Sequence, residues 1–225
     1  MTSPAESRRG GRPRSAEIDA AALDVTLTLL DEVGYRRLSL EEVARRAGTS
    51  RPALYRRWPT RPALVLAALA GRLGAVGVPD TGCTMCDLGE AIGVFVAVYR
   101  RLPPDVIGSL LADCAGDADL HALFMTALFD PPRQAVRQTL AKAVARGDLR
   151  PDLDHELAVD LLGSWVHHRV LFGHASFDDA DIETAVETLL GGIAADYPAL
   201  REGSRQDLAT PTPLHGLHSD TASPR

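Results

Sequence analysis

Apolar residues recur every three or four positions along most of the chain, which is the spacing of an amphipathic helix. Between Ser15 and Gly34 this spacing places five apolar side chains on one helical face: Ile18, Ala22, Val25, Leu29 and Val33. A second short apolar stripe follows Ser39, and further stripes continue to about Tyr197. The pattern therefore predicts an all-α protein.

Residues 39–69 contain the clearest signals for helix ends. Ser39 is a suitable N-cap and Glu42 lies three residues later, which is the arrangement of a capping box. Gly48 is expected to end this helix, because glycine adopts the left-handed conformation without a steric penalty. The remaining boundaries are expected at Thr49 or Ser50, Trp58-Pro59 and Thr60. The window therefore predicts two short helices joined by a tight turn, and then a third helix.

The second short helix is rich in arginine and also holds a tyrosine: Arg51, Pro52, Tyr55, Arg56 and Arg57. Two helices with a glycine-containing turn and a basic second helix form a helix-turn-helix pattern. The major groove of DNA admits one helix, and arginine can bridge the paired acceptors of guanine there. The alternative is a solvated basic helix in an ordinary bundle. Caps, turn and basic face coincide in one window, which favours the DNA-binding interpretation.

The run AGTSRPALYRRWPTRPAL resembles the DNA-binding signature of the tetracycline-repressor (TetR) family of bacterial transcriptional regulators. The matching elements are Ala47-Gly48, Leu54-Tyr55, Trp58 and Arg61, the last where many members have lysine. The resemblance is strong over about residues 15–73 and weak afterwards. It implies an all-helical homodimer that represses transcription and releases DNA when a small molecule binds. Neither enzymatic activity nor a cofactor is expected.

The contacts to DNA are predicted residue by residue. Arg51, near the start of the recognition helix, is expected at a guanine edge, and Pro52 at a thymine methyl group. Tyr55 and Arg57 lie one turn further along, towards base edges or phosphates. Hydroxyl groups, helix N-termini and positive charge suit phosphate contacts, and the residues expected there are Thr49, Ser50, Thr60 and Arg61.

The net charge of −6 is unusual for a DNA-binding protein, but its distribution is uneven. Residues 1–75 carry a net charge of +5 and the remaining residues −11. A basic end can reach phosphates while an acidic body stays away from DNA. The three cysteines are too few for a disulfide framework, and no apolar run approaches the ~18–20 residues of a membrane span. We therefore expect a cytoplasmic bacterial protein that has no membrane partner.

The chain is expected to divide into four regions. Residues 1–14 form a disordered basic arm, which either contacts DNA or only improves solubility. Residues 15–75 form the DNA-binding domain, and glycines and Pro79 mark the boundary that follows. Residues 84–198 form a helical domain for effector binding and dimerisation, and residues 199–225 a disordered tail.

The last two predicted helices are candidates for the dimer contact. The helix capped by Asp154 is apolar on two faces, which indicates burial on two sides. Two antiparallel helices that meet their symmetry mates form a four-helix interface, and the family resemblance implies the same location. The predicted interface residues are Leu157, Leu161, Trp165, Ile182, Val186, Leu189 and Ile193.

Aromatic residues with a few polar ends suggest a site for a small apolar or amphipathic effector. The candidate pocket residues are Phe95, Tyr99, Cys114, Phe124, Phe129, Trp165, His168 and Phe172. For any single one of them, plain core packing is the favoured alternative. Two other functions are considered: an orphan regulator without a ligand, and an enzyme fused to a DNA-binding module. The second is disfavoured because no nucleophile–base pair, phosphate loop or metal cluster supports it.

Three further groups could carry chemistry, but simpler interpretations are favoured. Cys83-x-x-Cys86 could be a redox or metal half-site, yet it stands alone and is read as two incidental cysteines. Three histidines with Asp178 could bind a metal, but consecutive histidines on a helix point about 100° apart; these are His167, His168 and His174. A third group is better explained by helix capping than by calcium binding: Asp113, Asp117 and Asp119.

Overall fold

The computed structural model describes residues 13–102 and 105–192, and their side chains from residue 16 onwards. Within these ranges the backbone forms helices and turns without strands, so the all-α prediction is confirmed. No helix in the described ranges is long and apolar enough to cross a membrane. The predicted tail 199–225, the side chains of the arm 1–14 and Ile193 lie outside what the structure describes.

The first part of the chain folds as predicted from the local signals. Its elements are α1 (Pro13–Val33), a 3-10 turn (Tyr35–Arg37), α2 (Leu40–Arg46), α3 (Arg51–Arg57) and α4 (Arg61–Leu73). Helix α1 packs against α2 and α4, and α2 packs against α3. The apolar face of α1 and the inward residue Leu54 of α3 belong to one buried core.

The second part begins with α5 (Thr84–Arg100), at the expected start of the second helical domain. It continues with α6 (Val106–Cys114), α7 (Ala118–Phe124), a π-helical turn (Met125–Phe129), α8 (Asp130–Arg146), α9 (His155–Phe172) and α10 (Asp179–Gly191). Helix α5 packs against α8 and α9, and α4 packs against α7 and the π-helical turn.

Pro131 and Pro132 lie at the start of α8. Proline is tolerated in a first turn, where its missing N–H has no intrahelical acceptor, and both prolines lie in the first turn of α8. The irregularity lies just before them, in the π-helical turn, where the backbone nevertheless stays helical at both flanking residues.

By chain contacts the protein divides into one compact unit that ends at Ile182 and another that starts at Glu183. The predicted boundary near residues 75–84 falls in the connection between α4 and α5, inside the first unit. In the second unit the structure describes the remainder of α10, where Val186 is buried and Leu190 is exposed.

Candidate nucleic-acid interface and ligand cavity

Two side-chain caps and one glycine determine where the helices of the helix-turn-helix begin and end. Ser39 Oγ accepts a hydrogen bond from the Glu42 N–H at 3.2 Å, and Ser50 Oγ accepts one from the Ala53 N–H at 3.3 Å. Gly48 has a φ of +64°, which favours glycine.

The Glu42 carboxylate does not complete the predicted capping box in the usual way. It pairs with Arg45 and Arg46, whose hydrogen bonds lower the pKa of Glu42 to about 2.

The residues predicted to read DNA bases share one exposed surface. We call the exposed side chains of α3 its outer face: Arg51, Pro52, Tyr55 and Arg56. Glu41 of α2 lies beside this face, 3.5 Å from Arg51 Nη2 and 3.3 Å from Tyr55 Oη. Leu54 is buried on the opposite side of the same helix. The outer face is therefore polar and basic, and the buried Leu54 on the opposite side of α3 fixes the helix to the core.

Two other predicted DNA contacts have partners inside the protein. We call Arg57 and Arg61 the inner edge of the helix-turn-helix. Arg57 forms an ion pair with Asp19 of α1 and donates a hydrogen bond to the Ala53 carbonyl at 3.1 Å. Arg61, at the start of α4, lies 2.7 Å from a carboxylate oxygen of Asp113 on α6. Of the predicted phosphate contacts, Ser50 and Thr60 are exposed, whereas Thr49 is half-buried.

Tyr35 connects Arg61 to α6. Its ring is fully buried, and its hydroxyl donates a hydrogen bond to Asp113 at 2.8 Å. The Arg61 guanidinium lies over this ring, 4.5 Å from its centroid. Burial and the hydrogen bond to Asp113 raise the pKa of Tyr35, while Arg61 and Tyr35 lower the pKa of Asp113.

The other end of α6 contacts the same turn. Asp105 Oδ2 accepts a hydrogen bond from the Tyr35 N–H at 3.2 Å. The preceding residue, Gly34, has a φ of +74°, and a Cβ added there would lie 3.1 Å from the same oxygen. Helix α6 thus holds the segment between α1 and α2 through carboxylates at both of its ends.

A cluster of rings lies where α5, the π-helical turn and α9 meet. The ring of His167 is 5.8 Å from Phe95, 5.7 Å from Tyr99 and 5.8 Å from Phe129, measured between centroids. Burial, together with the nearby charge of Arg133, lowers the pKa of His167, which favours a neutral imidazole. These rings line a cavity of about 30 Å³ that Phe124 also borders.

A larger cavity of about 140 Å³ lies beside it, between the end of α4, α5 and the start of α8. Its walls are mostly apolar, and Leu128 and Pro132 border both cavities. Arg101 is the charged residue in its wall and donates a hydrogen bond to the Leu73 carbonyl at 3.0 Å. This cavity therefore combines an apolar interior with one cationic group.

The predicted pocket residues fall into two groups. Four of them surround the smaller cavity: Phe95, Tyr99, Phe124 and Phe129. The other four do not line either cavity. Cys114 belongs to the core around α1 and α4, Trp165 packs on Phe177 and Arg169, and two lie exposed on α9, namely His168 and Phe172. For His167 the sequence favours pocket lining or a surface position over metal binding, and the structure places its ring in the wall of the smaller cavity.

The predicted interface residues of α9 differ in exposure. Leu157 and Leu161 are 57% and 53% exposed, and Phe172, further along the same helical face, is 75% exposed. Trp165 and Ile182 are half-buried. In the second unit Val186 is buried and Leu189 half-buried. One face of α9 therefore presents large apolar side chains that are exposed among the residues that the structure describes.

The remaining candidate groups are also placed. Asp117 caps α7 by accepting hydrogen bonds from the Asp119 and Leu120 N–H groups, both at 3.0 Å, as predicted. The capping prediction is wrong for Asp113, which lies inside α6 and binds Arg61 and Tyr35. Within the described ranges no group of three or more potential ligands is arranged to hold a metal ion. Cys83 and Cys86 form a disulfide at the exposed start of α5, so they are a pair and not two unrelated thiols.

Comparisons with known proteins agree with this architecture. Residues 22–68 match the family model described as "Bacterial regulatory proteins, tetR family". Residues 78–189 match "Tetracyclin repressor-like, C-terminal domain". The first match contains the helix-turn-helix. The second contains α5, the π-helical turn and α9, which meet at the smaller cavity.

Individual relatives cover most of the chain. The DNA-binding transcriptional repressor TetR of Mycobacteroides abscessus is 32% identical over 76% of this chain and 90% of its own length. The crystal structure of the TetR family transcription regulator SCO0332 is similar with a TM-score of 0.64 and 32% identity, over 79% of this chain and 99% of that one. FadR from Bacillus subtilis, crystallised with stearoyl-CoA, shares the fold with a TM-score of 0.53 and 14% identity, over 78% of this chain and 99% of that one.

Proposed function

Because this chain belongs to the TetR family of DNA-binding transcriptional regulators, we propose that it represses transcription as a homodimer on a near-palindromic operator. Members of this family bind DNA and act as dimers. The observation that carries the proposal is the outer face of α3, where Arg51, Pro52 and Tyr55 are exposed together above the buried Leu54.

The outer face has the chemistry that major-groove recognition needs. Arg51 lies in the first turn of α3, where residues of a recognition helix reach base edges. Its guanidinium can bridge the two acceptors of a guanine. Arg51 Nη2 lies 3.5 Å from the Glu41 carboxylate. When DNA binds, either Arg51 leaves this carboxylate or both side chains take part in the same contact.

The uncovered apolar face of α9 supports the homodimer. Leu157, Leu161 and Phe172 would lose their contact with water against the same face of a second chain. Burial of apolar surface is the main stabilising contribution in such interfaces. Two recognition helices could then enter successive major grooves, about 34–36 Å apart.

The cavities support a small apolar or amphipathic effector whose binding releases the operator. The rings around the neutral His167 and the apolar walls near Arg101 suit such a ligand. The fold neighbour FadR of Bacillus subtilis was crystallised with stearoyl-CoA, a molecule of this general kind. Helix α6 borders the smaller cavity through Ile107 and holds Tyr35 and Arg61 at its ends, which links ligand and DNA sites.

The sizes of the cavities favour a second candidate, a regulator without a ligand. Volumes of about 30 and 140 Å³ are below the ~300–1,000 Å³ of typical ligand pockets. An effector would therefore have to widen the cavity by moving side chains such as Phe129. A thermal-shift screen of aliphatic and aromatic carboxylates, amines and alcohols separates the candidates: a regulator without a ligand shows no stabilisation by any of them.

The central experiment selects bound sequences from a randomised pool of double-stranded DNA. The proposal predicts a palindrome whose half-sites lie about one helical turn apart. The matched control is Arg51→Ala, which should recover a motif with relaxed preference at one position in each half-site. Weak, salt-sensitive binding without any motif would contradict the proposal.

A further inference from the structure

The first turn of α5 carries two cysteines on the surface of the protein. Cys83 is the N-cap and Cys86 lies three residues later, with their Cα atoms 5.3 Å apart and their sulfur atoms joined. Both residues are exposed. The third cysteine, Cys114, is buried in the core, and burial raises the pKa of its thiol. Thiol chemistry with solutes is therefore confined to the pair.

The position of the pair suits reversible thiol chemistry. A helix of 17 residues begins at Thr84, and the unpaired N–H groups at a helix start favour negative charge. Cys83 Sγ accepts the Cys86 N–H at 3.3 Å, so a thiolate at Cys83 would meet a backbone donor. Cysteine pairs with this spacing at helix N-termini are among the reactive ones, since the thiolate is the attacking form.

The alternative is that the disulfide only stabilises the start of α5, and the surrounding contacts argue against this. Asp87 is 1% exposed and its Oδ1 accepts hydrogen bonds from Thr81 N and Oγ1 at 2.6 and 2.8 Å. Thr81 Oγ1 in turn accepts the Cys83 N–H at 3.2 Å. None of these bonds uses a sulfur atom. A disulfide that closes so short a loop also removes little conformational freedom from the unfolded chain.

Three carboxylates near the pair are held by two cations of α8: Asp80, Asp87 and Asp148 by Lys142 and Arg146. Burial raises the pKa of Asp87, but the hydrogen bonds from Thr81 and the ion pair with Arg146 outweigh this and leave it below its ordinary value. Arg146 on α8 lies 3.0 Å from Asp87 and 3.1 Å from Asp148, and Thr84 donates a hydrogen bond to Asp148. The buried carboxylate of Asp87 is therefore ionised and paired with Arg146, which weakens its repulsion of a thiolate at Cys83.

We propose that Cys83 and Cys86 form a redox site that reacts with hydroperoxides and is reset by dithiols. The Cys83 thiolate attacks one peroxide oxygen and breaks the O–O bond, which yields a sulfenic acid. After protonation, the leaving oxygen departs as water from hydrogen peroxide or as an alcohol from an organic hydroperoxide. The Cys86 thiol then displaces the hydroxyl group as water and forms the disulfide. A dithiol such as dithiothreitol returns two electrons and two protons, and is itself oxidised to a disulfide.

The test uses the full chain, reduced with dithiothreitol and then freed of it. Hydrogen peroxide is added at neutral pH, and the free thiols are counted with Ellman's reagent under native and denaturing conditions. We expect two thiols to disappear together, at a rate about tenfold above that of glutathione, with Cys114 retained. Dithiothreitol should restore both. A rate equal to that of glutathione, or a disulfide between two chains, would overturn the proposal.

Single-cysteine variants identify the attacking group. In Cys86→Ser the reaction should stop at the sulfenic acid of Cys83, which dimedone captures, with a rate like that of the unaltered protein. In Cys83→Ser the remaining thiol should react about tenfold more slowly. Equal rates in the two variants would contradict the assignment of Cys83. Circular dichroism confirms that each variant is folded, and the test does not depend on DNA binding.

Discussion

The outer face of α3 and the inner edge of the helix-turn-helix hold the same residue type in opposite situations. On the outer face, Arg51 is exposed and lies close to Glu41 of the neighbouring helix. At the inner edge, Arg57 and Arg61 are half-buried and paired with Asp19 and Asp113. Arginine in a DNA-binding segment therefore serves two purposes, and internal carboxylates distinguish them. We expect the outer face to determine recognition and the inner edge to determine how firmly the recognition helix is held.

The largest effect is expected at the anchor beneath the outer face. Leu54→Ala removes a fully buried side chain and leaves a cavity, so it should lower the free energy of unfolding by about 2–5 kcal/mol. Chemical denaturation measures the change. The control is Leu111→Ala on an exposed position of α6, which should change stability by less than about 0.5 kcal/mol. Equal losses in both variants would mean that α3 is not anchored through Leu54.

The next effect concerns recognition alone. Arg51→Ala should weaken binding to the selected operator by about 1–3 kcal/mol and relax one base preference in each half-site, because the bridging contact to guanine is lost. Fluorescence anisotropy with operator and single-base variants measures both. Stability should stay unchanged, since Arg51 is exposed. Unaltered affinity and base preference would show that α3 docks differently.

A smaller effect is expected from the ion pair between Arg61 and Asp113. Asp113→Asn should lower the free energy of unfolding by about 1 kcal/mol at pH 7, a value reduced for partial solvent exposure. Because the folded-state pKa of Asp113 lies below its unfolded value, this contribution is complete above the unfolded pKa of about 3.9 and is lost as pH falls through the folded pKa.

Chemical denaturation of the unaltered protein and of Asp113→Asn across acidic pH measures this dependence. The difference between them should be constant above about pH 5 and shrink at lower pH. Tyr35→Phe is the companion variant, since it removes the hydroxyl but keeps the ring beneath Arg61. A difference that persists unchanged at the lowest pH would assign the loss to packing and not to charge.

The smallest effect is expected for two adjacent arginines of α3, which differ in burial. Arg57→Ala breaks the pair with Asp19 and should reduce stability by about 0.5–1 kcal/mol, while the exposed Arg56→Ala should be nearly neutral. Thermal unfolding compares them directly. If Arg57→Ala instead leaves stability unchanged and weakens operator binding, Arg57 belongs functionally to the outer face.

The helix-turn-helix could be predicted from sequence because its signals are local. Ser39, Gly48 and Thr60 act within three or four residues of their own positions, and each lies where the pattern placed it. The partners of Arg57 and Arg61 could not be predicted in this way. Asp113 lies 52 residues from Arg61 in the chain and reaches it only through the packing of α6.

The candidate ligand site shows the same limit. Phe95 and Tyr99 could be assigned to it because they are one turn apart on an apolar face of α5. His168 and Phe172 also carry rings, but the orientation of α9 about its own axis places both side chains on the exposed surface, outside the cavity.

The π-helical turn at Met125–Phe129 has a consequence for how this chain is aligned with its relatives. Such a turn accommodates one residue more than an α-helix of the same length. Removal of one residue there would restore regular α-helical spacing while the helix on either side keeps its register. The residue equivalent to Pro132 would then still line the cavity, but one position earlier in the chain. A correct alignment with a relative that lacks the extra residue therefore needs a single-residue gap inside a continuous helix.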